Sequence, residues 1–445
     1  MTRTDSTTPI WGKIAIVALI LMVVCGYLFE ILITPFGGLD FSIYRMGAMT
    51  IFDNEGFTKD LYAPVFIEIG VLKLPFTYPP FAALVFLPFA FLPLEVGKAI
   101  MVLGTTAAAW WLSATIYNYA QTSGRALPLQ GRLGRTGTVA ALTIVVMLCG
   151  PWRRTFHLMQ INPLIMALIL ADFMRPATRV PRGVLLGIAA GIKLTPLAFG
   201  LLLLMRKDWK GIATLGASFA ATVGIGFLVI REESLTFWFH AVRDTSRVGW
   251  FSYFDNVSIM GSLTHAGLQH HLTATALSVV QVALTLLIVL VTAVLLVPLI
   301  RARALMAQLA LTAFMMLQIS PISWSHHNTW YPLMLAAVVM EIFPLMYQRV
   351  SSFVFTLAVV LATAALVGMY ISPFWIVLAF SPHFSSDQIL MVPEGSLGLM
   401  AGTMPYQLMY LFILVTFFVY LANRQLVGRA ARAAGAELAE AKYSR

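Results

Sequence analysis

The sequence predicts an all-α polytopic membrane protein, and composition and segment length carry that prediction. The chain has 445 residues, of which 59% are hydrophobic and 11% are charged, with a mean hydropathy of +0.84. Soluble domains carry about 25% charged residues, so the composition excludes a soluble fold. Several apolar runs approach or exceed the roughly 20 residues that a helix needs to cross a bilayer. The weak alternating pattern of an outer-membrane barrel is absent from these runs.

The lengths of the apolar runs and the positions of the loops between them indicate about twelve hydrophobic segments. They are 11–34, 76–93, 97–119, 136–151, 158–174, 183–205, 211–230, 273–300, 304–321, 329–346, 352–372 and 403–423. The segments 76–93 and 183–205 are rich in Pro and Gly, and helices that break at membrane depth are tolerated only where protein or a wet cavity covers them. We therefore predict ten full spans and two broken or re-entrant segments, with twelve plain spans as the alternative. Residues 1–423 are assigned to one integral-membrane domain and 424–445 to a basic cytoplasmic tail.

The distribution of Lys and Arg predicts the orientation, because cytoplasmic loops carry an excess of both. Loops 120–135 and 175–182 hold six arginines, and the ten-span arrangement places both loops in the cytoplasm with the basic tail. In the ten-span and the twelve-span arrangement alike, the loops that contain Asp40, residues 253–258 and His326 share the outer face. This bias also explains the net charge of +10, so no nucleic-acid partner is predicted.

Asp40 follows the first apolar run closely, where a carboxylate is costly unless it has a function or a partner. A positioned carboxylate at this place suits a general base that takes a proton from a sugar hydroxyl. It equally suits a helix N-cap, because Asp is a preferred cap and the short apolar stretch 41–49 is a plausible helix. One residue can do both, and in either case Tyr44 and Arg45 lie one turn further on as candidate substrate ligands.

A second polar island lies late in the chain and reads Ser320-Pro321-Ile322-Ser323-Trp324-Ser325-His326-His327. One histidine could hydrogen-bond an acceptor hydroxyl or a phosphate, so His326 is the second candidate catalytic residue, with His327 and Trp324 as candidate ligands. No HExxH motif, Cys pair or spaced third His accompanies them, so no metal site is predicted. The alternative is a pair of interfacial histidines that cap a helix end within an aromatic belt.

The third cluster begins with Arg153 and Arg154, which the ten-span arrangement places outside, against the positive-inside bias. Two arginines in that position indicate phosphate binding, since Arg grips phosphate with two parallel hydrogen bonds. His157, Gln160 and Asn162 follow within a few residues and join the candidate substrate-binding set. The twelve-span alternative makes this stretch an ordinary cytoplasmic basic loop.

Three further residues are weaker candidates. Lys193 is an intramembrane lysine that needs a partner or a phosphate, although its side chain could also snorkel to the interface. Tyr78 begins a segment at the outer face, and Asn256 lies among aromatic residues in a long loop. The chain has no Walker loop, Rossmann glycine pattern or DxD motif, which argues against a soluble nucleotide-sugar donor. No cofactor is predicted.

Together these motifs resemble the actinobacterial polyprenol-phosphate-mannose-dependent mannosyltransferases of the GT-C superfamily, specifically their α-1,2 branch. The similarity extends from Leu39 to about Tyr331 and rests on the order and spacing of five motifs. These are Asp40-Phe41-Ser42-Ile43-Tyr44, Phe76-Thr77-Tyr78-Pro79-Pro80-Phe81-Ala82-Ala83-Leu84, Gln160-Ile161-Asn162, Gly191-Ile192-Lys193-Leu194-Thr195-Pro196 and the island from Ser320 to His327. The chain departs from the family pattern at Ser325, where relatives often carry an acid.

The resemblance implies a GT-C fold and inverting transfer of mannose from β-linked polyprenyl-phosphate mannose, whose lipid lies in the bilayer. The implied acceptor is the 2-hydroxyl of a mannosylated phosphatidylinositol lipid or of its extended glycan, lipomannan, at the extracytoplasmic face of the cell membrane. The catalytic Asp of the family maps onto Asp40, which would be the general base. Its histidine pair maps onto His326 and His327.

A phosphate leaving group is already stable as an anion, so the implied reaction needs no general acid. Arg153, Arg154, Lys193 or His326 would stabilise its charge in place of a metal ion. Arabinofuranosyltransferases of the same branch are the nearest alternative. A secondary transporter or lipid flippase would show inverted repeats and polar groups at mid-membrane, whereas these polar islands gather at one predicted face and no repeat is detected.

Overall fold

The structure is a computed structural model whose helices and loops can be followed through most of the chain. It describes residues 21, 24–26, 37–52, 60–64, 67–69, 72–124, 127, 130–175, 179–347 and 349–443. Of the first predicted segment, 11–34, all but residues 21 and 24–26 lies outside the described residues.

Helices make up most of the described part, which confirms the all-α prediction. Its helices are α1 (Leu39–Met49), α2 (Pro80–Val85), α3 (Leu87–Ala90), α4 (Leu94–Thr122), α5 (Gln130–Leu148), α6 (Gly150–Leu158), α7 (Asn162–Met174), α8 (Val184–Ile192), α9 (Gly200–Met205), α10 (Trp209–Val229), α11 (Arg231–Phe239), α12 (Ile259–His265), α13 (Ala274–Arg301), α14 (Leu305–Ile319), α15 (Tyr331–Ala337), α16 (Phe343–Tyr347), α17 (Ser352–Ile371), α18 (Pro373–Ala379) and α19 (Leu397–Tyr443). A π-helical turn, Val338–Ile342, joins α15 to α16. The strands β1 (Ile67–Ile69) and β2 (Leu72–Leu74) form a small antiparallel hairpin.

Fewer helices are long enough to cross a membrane than the ten to twelve segments predicted from apolar runs. Within the described residues five qualify by length and composition: Leu94–Thr122, Trp209–Val229, Ala274–Arg301, Ser352–Ile371 and Leu397–Arg424. A sixth is possible if Leu133–Leu148 and Gly150–Leu158, which meet at 74°, count as one span. Four further apolar helices have 10–17 residues. The protein is therefore a multi-pass membrane protein in which several apolar runs fold as short or bent helices.

Hydrogen bonds bring the basic loops together at one end of the bundle, which we call the basic face. They join Arg182 Nη1 to Asp208 Oδ2 (3.2 Å), Arg206 Nε to Gln308 Oε1 (2.9 Å), Tyr119 Oη to the Arg303 carbonyl (3.4 Å) and Asn423 Nδ2 to the Arg349 carbonyl (3.4 Å). Arg182, at the end of the 175–182 loop, thus lies beside Asp208 in the turn that precedes α10. Helix α4 ends beside Arg303, so the chain enters the 120–135 loop at the same face.

A second set of contacts defines the opposite end, which we call the site face. They join Gly38 N to the His157 carbonyl (2.8 Å), Arg247 Nη2 to the Ala63 carbonyl (3.2 Å), Val257 N to the Ser323 carbonyl (2.8 Å) and Gly395 N to the His265 carbonyl (3.0 Å). The loops predicted to share one face with Asp40 and His326 therefore do so.

The segment 183–205 folds as a re-entrant hairpin, as its Pro and Gly content predicts. Helix α8 starts at the basic face and ends before Lys193, and the chain then returns through a 3₁₀ turn and α9. The ion pair between Arg182 and Asp208 holds the two ends together. Gly191 lets α8 pack tightly on α10, since a Cβ there would lie 2.2 Å from Thr222 Oγ1. The tip of the hairpin carries Lys193 towards the site face.

The segment 76–93 also fails to cross the bundle, and both of its ends stay near α1. It consists of the short helices α2 and α3, and each of them has a proline in its first turn. The guanidinium of Arg45 donates to the Phe89 carbonyl (3.1 Å) and the Leu92 carbonyl (3.0 Å), which fixes the far end of this segment on α1. Both segments predicted to be broken are broken.

Two buried acids that sequence reasoning did not single out bind helix N-termini. Asp172 Oδ2 accepts hydrogen bonds from Gly183 N (2.7 Å) and Leu186 N (3.1 Å) at the start of α8. Glu341 Oε2 accepts one from Ala307 N (2.7 Å) at the start of α14. Carboxylates at helix N-termini accept hydrogen bonds from unpaired N–H groups and interact favourably with the positive end of the helix dipole. These acids therefore stabilise the fold at the basic face.

We expect the basic face to be cytoplasmic, because short loops rich in Arg resist translocation. In a variant with Cys25 and Cys149 replaced by Ser, a cysteine at Ser123 or Arg179 should resist an impermeant thiol reagent added outside intact cells. A cysteine at His271, which is exposed on the site face, should react promptly and serves as the matched control. Labelling of Ser123→Cys or Arg179→Cys without cell lysis would reverse the orientation.

Candidate active site

Asp40 lies in the first turn of α1, directly beside the end of α6. The N-cap of α1 is Gly38, whose φ of 76° is in the left-handed region and whose N–H donates to the His157 carbonyl at 2.8 Å. A side chain at Gly38 would also meet Met159 Sδ at 2.9 Å. The N-cap alternative for Asp40 is therefore wrong, because Gly38 holds that position and no side chain caps the helix.

Gln160 connects Asp40 to the rest of the polar cluster. It lies between α6 and α7, and its Nε2 donates to Asp40 Oδ2. Its Oε1 accepts from the Tyr44 hydroxyl at 2.8 Å and from Asn162 Nδ2 at 3.2 Å. The Tyr44 hydroxyl also lies 2.9 Å from the Tyr78 hydroxyl. Asp40 is thus joined to a hydrogen-bonded cluster of four residues from three separate sequence motifs.

Lys193 joins this cluster from the tip of the re-entrant hairpin. Its Nζ donates to Asn162 Oδ1 at 2.9 Å and lies 3.3 Å from His327 Nε2. The ammonium is also 5.7 Å from the ring centre of Tyr78, within the range of a cation–π contact. An ammonium group only donates hydrogen bonds, so His327 Nε2 is the acceptor in this pair.

The ammonium of Lys193 fixes the direction of the hydrogen bonds around it, because hydrogen positions follow from the network. It requires Asn162 to present its oxygen, so the Asn162 amide nitrogen points at Gln160. Gln160 must then accept on Oε1 and present Nε2 towards Asp40. The same Nε2 lies 3.2 Å from His326 Nε2. The cluster is therefore an ordered relay of donors that ends at two acceptors, Asp40 and His326.

The loop that carries His326 is held by the long loop between α11 and α12. Asn256 pairs with Trp324 as an isolated β-bridge, and its Oδ1 accepts from Ser323 N at 3.1 Å. The Thr155 hydroxyl donates to the His326 carbonyl at 3.0 Å. These bonds connect α6 and two separate loops, and they place the imidazole next to Gln160.

Arg153 and Arg154, which the sequence treats alike, point in different directions. Arg154 is half-buried and is one of the charges that act on the carboxyl of Asp40. In the part of the chain that the structure describes, its guanidinium makes no hydrogen bond or ion pair. Arg153 is exposed and acts instead on Tyr370, at the other side of α6. Of the two, only Arg154 faces the cluster.

Several candidate ligands are placed outside the cluster or are used by the fold. The guanidinium of Arg45 hydrogen-bonds the α3 end and does not join the residues around Asp40. The side chain of Asn256 is fully buried and holds the His326 loop. Trp324 packs edge-on against Tyr253, with ring centres 5.2 Å apart. The backbone of His157 positions Gly38.

Burial raises the pKa of Asp40, which lies outside the helices long enough to span a membrane. The residue as a whole is half-buried, but its carboxyl is enclosed by protein atoms. His326, the hydrogen bond from Gln160, Arg154 and Lys193 all oppose this rise and do not cancel it. A raised carboxyl pKa brings a general base closer to the operating pH.

We therefore expect the acid limb of the pH profile for sugar transfer to lie above about pH 4, which is close to the ordinary pKa of an Asp side chain. A base must be deprotonated, so activity falls as pH drops through the raised pKa. Lys193→Gln removes one opposing positive charge and should move this limb to still higher pH. Measurement of kcat/KM for the donor against pH tests both statements. A limb at or below pH 4 would contradict the assignment of Asp40 as the base.

Asp255 lies in the same aromatic-rich loop as Asn256, but the sequence did not single out its carboxylate as a site residue. It is buried, and its Oδ2 lies 3.7 Å from His326 Nδ1. Its position in a loop among aromatic residues gave no sign of a partner 71 residues away. Across the described residues, no group of three or more His, Cys, Asp or Glu side chains could hold a metal ion.

Comparison with known proteins identifies the family. The profile of glycosyltransferase family 87 matches residues 76–321, which is more than half of the chain. The chain belongs to glycosyltransferase family 87. The matched range includes Arg154, Gln160 and Lys193, whereas Asp40 precedes it and His326 follows it.

Curated relatives extend the comparison. The chain is 33% identical over 304 residues to the polyprenol-phosphate-mannose-dependent α-(1-2)-phosphatidylinositol mannoside mannosyltransferase of Mycolicibacterium smegmatis, covering 66% of this chain and 67% of that protein. It is 31% identical over 317 residues to the protein of the same description from Mycobacterium tuberculosis, covering 69% and 70%. It is 31% identical over 300 residues to the α-(1-2)-phosphatidylinositol pentamannoside mannosyltransferase of M. smegmatis, covering 67% and 68%. No solved structure matches. The glycosyltransferase is thus a multi-pass membrane enzyme whose polar cluster lies at one end of the helix bundle.

Proposed function

We propose that this glycosyltransferase moves mannose from polyprenyl-phosphate mannose to the 2-hydroxyl of a mannosylated phosphatidylinositol lipid or of lipomannan. The observation that carries the proposal is the convergence of Asp40, Arg154, Lys193 and His326 at the site face. The named activities of the relatives supply the donor and the acceptor class. Residues 1–423 would form the catalytic unit, and 424–445 would be its cytoplasmic tail.

The reaction proceeds by a single inverting displacement at the anomeric carbon. The acceptor oxygen forms the new bond to that carbon as the bond to the phosphate oxygen breaks. Asp40 takes the hydroxyl proton, and the electron pair of the broken bond leaves with the phosphate. Gln160 binds Asp40 through Oδ2, which leaves Oδ1 for the hydroxyl. A positioned carboxylate of raised pKa is suited to this role.

The phosphate leaving group is held by cationic side chains. Arg154 can donate two parallel hydrogen bonds to the phosphate, and Lys193 provides a compact positive charge from the tip of the re-entrant hairpin. Charge that develops on the phosphate in the transition state is then stabilised by groups already in place. No metal ion or cofactor takes part in this mechanism.

The active site faces the extracytoplasmic side of the cell membrane in this proposal. Its support is the separation of the cluster from the basic loops, which lie at the other end of α10 and α13. A lipid-linked donor suits such a site, because its polyprenyl chain stays in the bilayer while its sugar phosphate enters from the membrane surface.

Purified protein supplied with labelled polyprenyl-phosphate mannose and phosphatidylinositol mannosides tests the proposal. We expect a lipid product one mannose heavier by mass spectrometry, which α-1,2-mannosidase shortens again. Polyprenyl-phosphate arabinofuranose in the same assay tests the nearest alternative, and its preferred use would replace mannose with arabinose. Uptake of labelled substrate by liposomes without sugar transfer would instead support a transporter.

A further inference from the structure

A second carboxylate lies on the other side of the His326 ring from Asp40. The Oδ2 atom of Asp255 is 3.7 Å from His326 Nδ1, and the two side chains are 6% and 7% exposed. Among the described residues, His326 Nδ1 has no hydrogen-bond partner. The backbone also couples the two loops, since Ser325 N donates to the Asp255 carbonyl at 3.2 Å. At 3.7 Å the two atoms are slightly beyond hydrogen-bond distance, and catalytic hydrogen bonds are often long before substrate binds and tighten in the substrate complex.

The hydrogen bonds around Gln160 indicate which nitrogen of His326 carries the proton. Gln160 presents its amide nitrogen to His326 Nε2, and an amide nitrogen donates. His326 Nε2 is therefore an acceptor, so a neutral ring carries its proton on Nδ1. That proton faces Asp255. A carboxylate behind a histidine fixes both the tautomer and the orientation of the ring.

We propose that Asp255 is a positioning residue for acceptor recognition, because it keeps the His326 proton on Nδ1 and so keeps Nε2 an acceptor, to which a sugar hydroxyl can donate in place of the Gln160 amide. The inference rests on the proposed function, since it takes an acceptor sugar as the ligand. Asp40 and His326 Nε2 both touch the Gln160 amide nitrogen. Two acceptors side by side suit two neighbouring hydroxyls of one sugar ring, one reacting and one orienting.

This arrangement also divides the roles within the site. A phosphate oxygen only accepts hydrogen bonds and so cannot pair with an unprotonated Nε2. We therefore assign binding of the donor phosphate to Arg154, on α6, and to Lys193, at the end of α8. His326 then distinguishes acceptors and not donors.

A double-mutant cycle in the full-length enzyme tests whether Asp255 acts through His326. Asp255→Leu removes the acceptor oxygen with little change in volume, and we expect kcat/KM for a phosphatidylinositol mannoside to fall about 10- to 100-fold. The KM for polyprenyl-phosphate mannose should stay within about twofold. Asp255→Asn keeps one acceptor oxygen and should recover part of the loss. In a His326→Gln background, Asp255→Leu should not lower this kcat/KM any further.

Equal losses in both backgrounds would show that Asp255 does not act through His326 and would overturn the inference. A loss confined to the KM of the donor would do the same. Asp60→Asn is the control, because it removes an exposed carboxylate that lies outside the cluster. It should leave both substrate constants unchanged.

The tautomer can be read without any substrate, which separates this inference from the proposed function. Nitrogen NMR of the protein labelled with ¹⁵N-histidine distinguishes a ring protonated on Nδ1 from one protonated on Nε2. The His326 signals are assigned by their absence in His326→Gln. We expect the Nδ1–H form in the wild type and its loss in Asp255→Leu. The Nε2–H form in the wild type would overturn the inference even if mannose transfer were found, whereas failure of transfer alone would overturn only the proposed function.

Discussion

Replacement of Asp40 by Asn is expected to reduce mannose transfer by about 10²–10⁴-fold, the usual contribution of a general base. The amide oxygen of Asn still accepts the hydrogen bond from Gln160, so the geometry of the cluster should persist. What disappears is the capacity to take a proton from the acceptor hydroxyl. The loss should appear in kcat at saturating donor and acceptor, measured with purified protein.

The same substitution should not destabilise the fold. Burial raises the folded-state pKa of Asp40, so the ionised form is disfavoured in the folded protein, and stability falls as pH rises through that pKa. Removal of the charge at neutral pH should therefore leave Tm equal or slightly higher. Asp60→Asn, at an exposed position on the same side of the bundle, is the matched control and should retain full activity. Wild-type turnover by Asp40→Asn would remove Asp40 from the mechanism.

Substitution of Arg154 is expected to have the second largest effect. Arg154→Gln removes a charge that would stabilise the departing phosphate, and loss of one such group typically costs about 10²–10³-fold in kcat. Arg154→Lys should recover only part of this, because a point charge replaces a bidentate fork. The defect should appear in donor use, with the KM for the acceptor little changed.

Arg153 provides the matched control for this prediction, because it adjoins Arg154 in the sequence and faces away from Asp40. Arg153→Gln and Arg153→Lys should each change donor use by less than about threefold, as is usual for an exposed residue without a structural role. Equal losses of donor use at the two positions would mean that the donor phosphate is attracted by the general positive charge of this region and not by a direct contact with Arg154.

Transfer should also persist in the presence of a metal chelator if Arg154 and Lys193 stabilise the leaving phosphate. Activity that stops on chelation and returns with Mg²⁺ or Mn²⁺ would contradict this account. Asp40 would then be better interpreted as a metal ligand than as a base.

The amino-acid sequence by itself determined that this protein is an all-α membrane protein with its polar residues in a few short islands. Hydrophobic length and charge act locally along the chain, so they can be read from it directly. Broken helices at 76–93 and 183–205 were predictable for the same reason, since Pro and Gly act on the backbone where they occur. The motifs around Asp40, Gln160, Lys193 and His326 were also recognisable in order.

Only the tertiary structure decided how these motifs work together. It separated Arg154 from Arg153 by the direction of each side chain on a bent helix, which spacing alone cannot resolve. It assigned Arg45 and Asn256 to the support of loops, and it replaced Asp40 by Gly38 as the cap of α1. It also brought Asp255 to the His326 ring from 71 positions away. Such contacts depend on how broken helices pack against one another, and no local property of the chain encodes that packing.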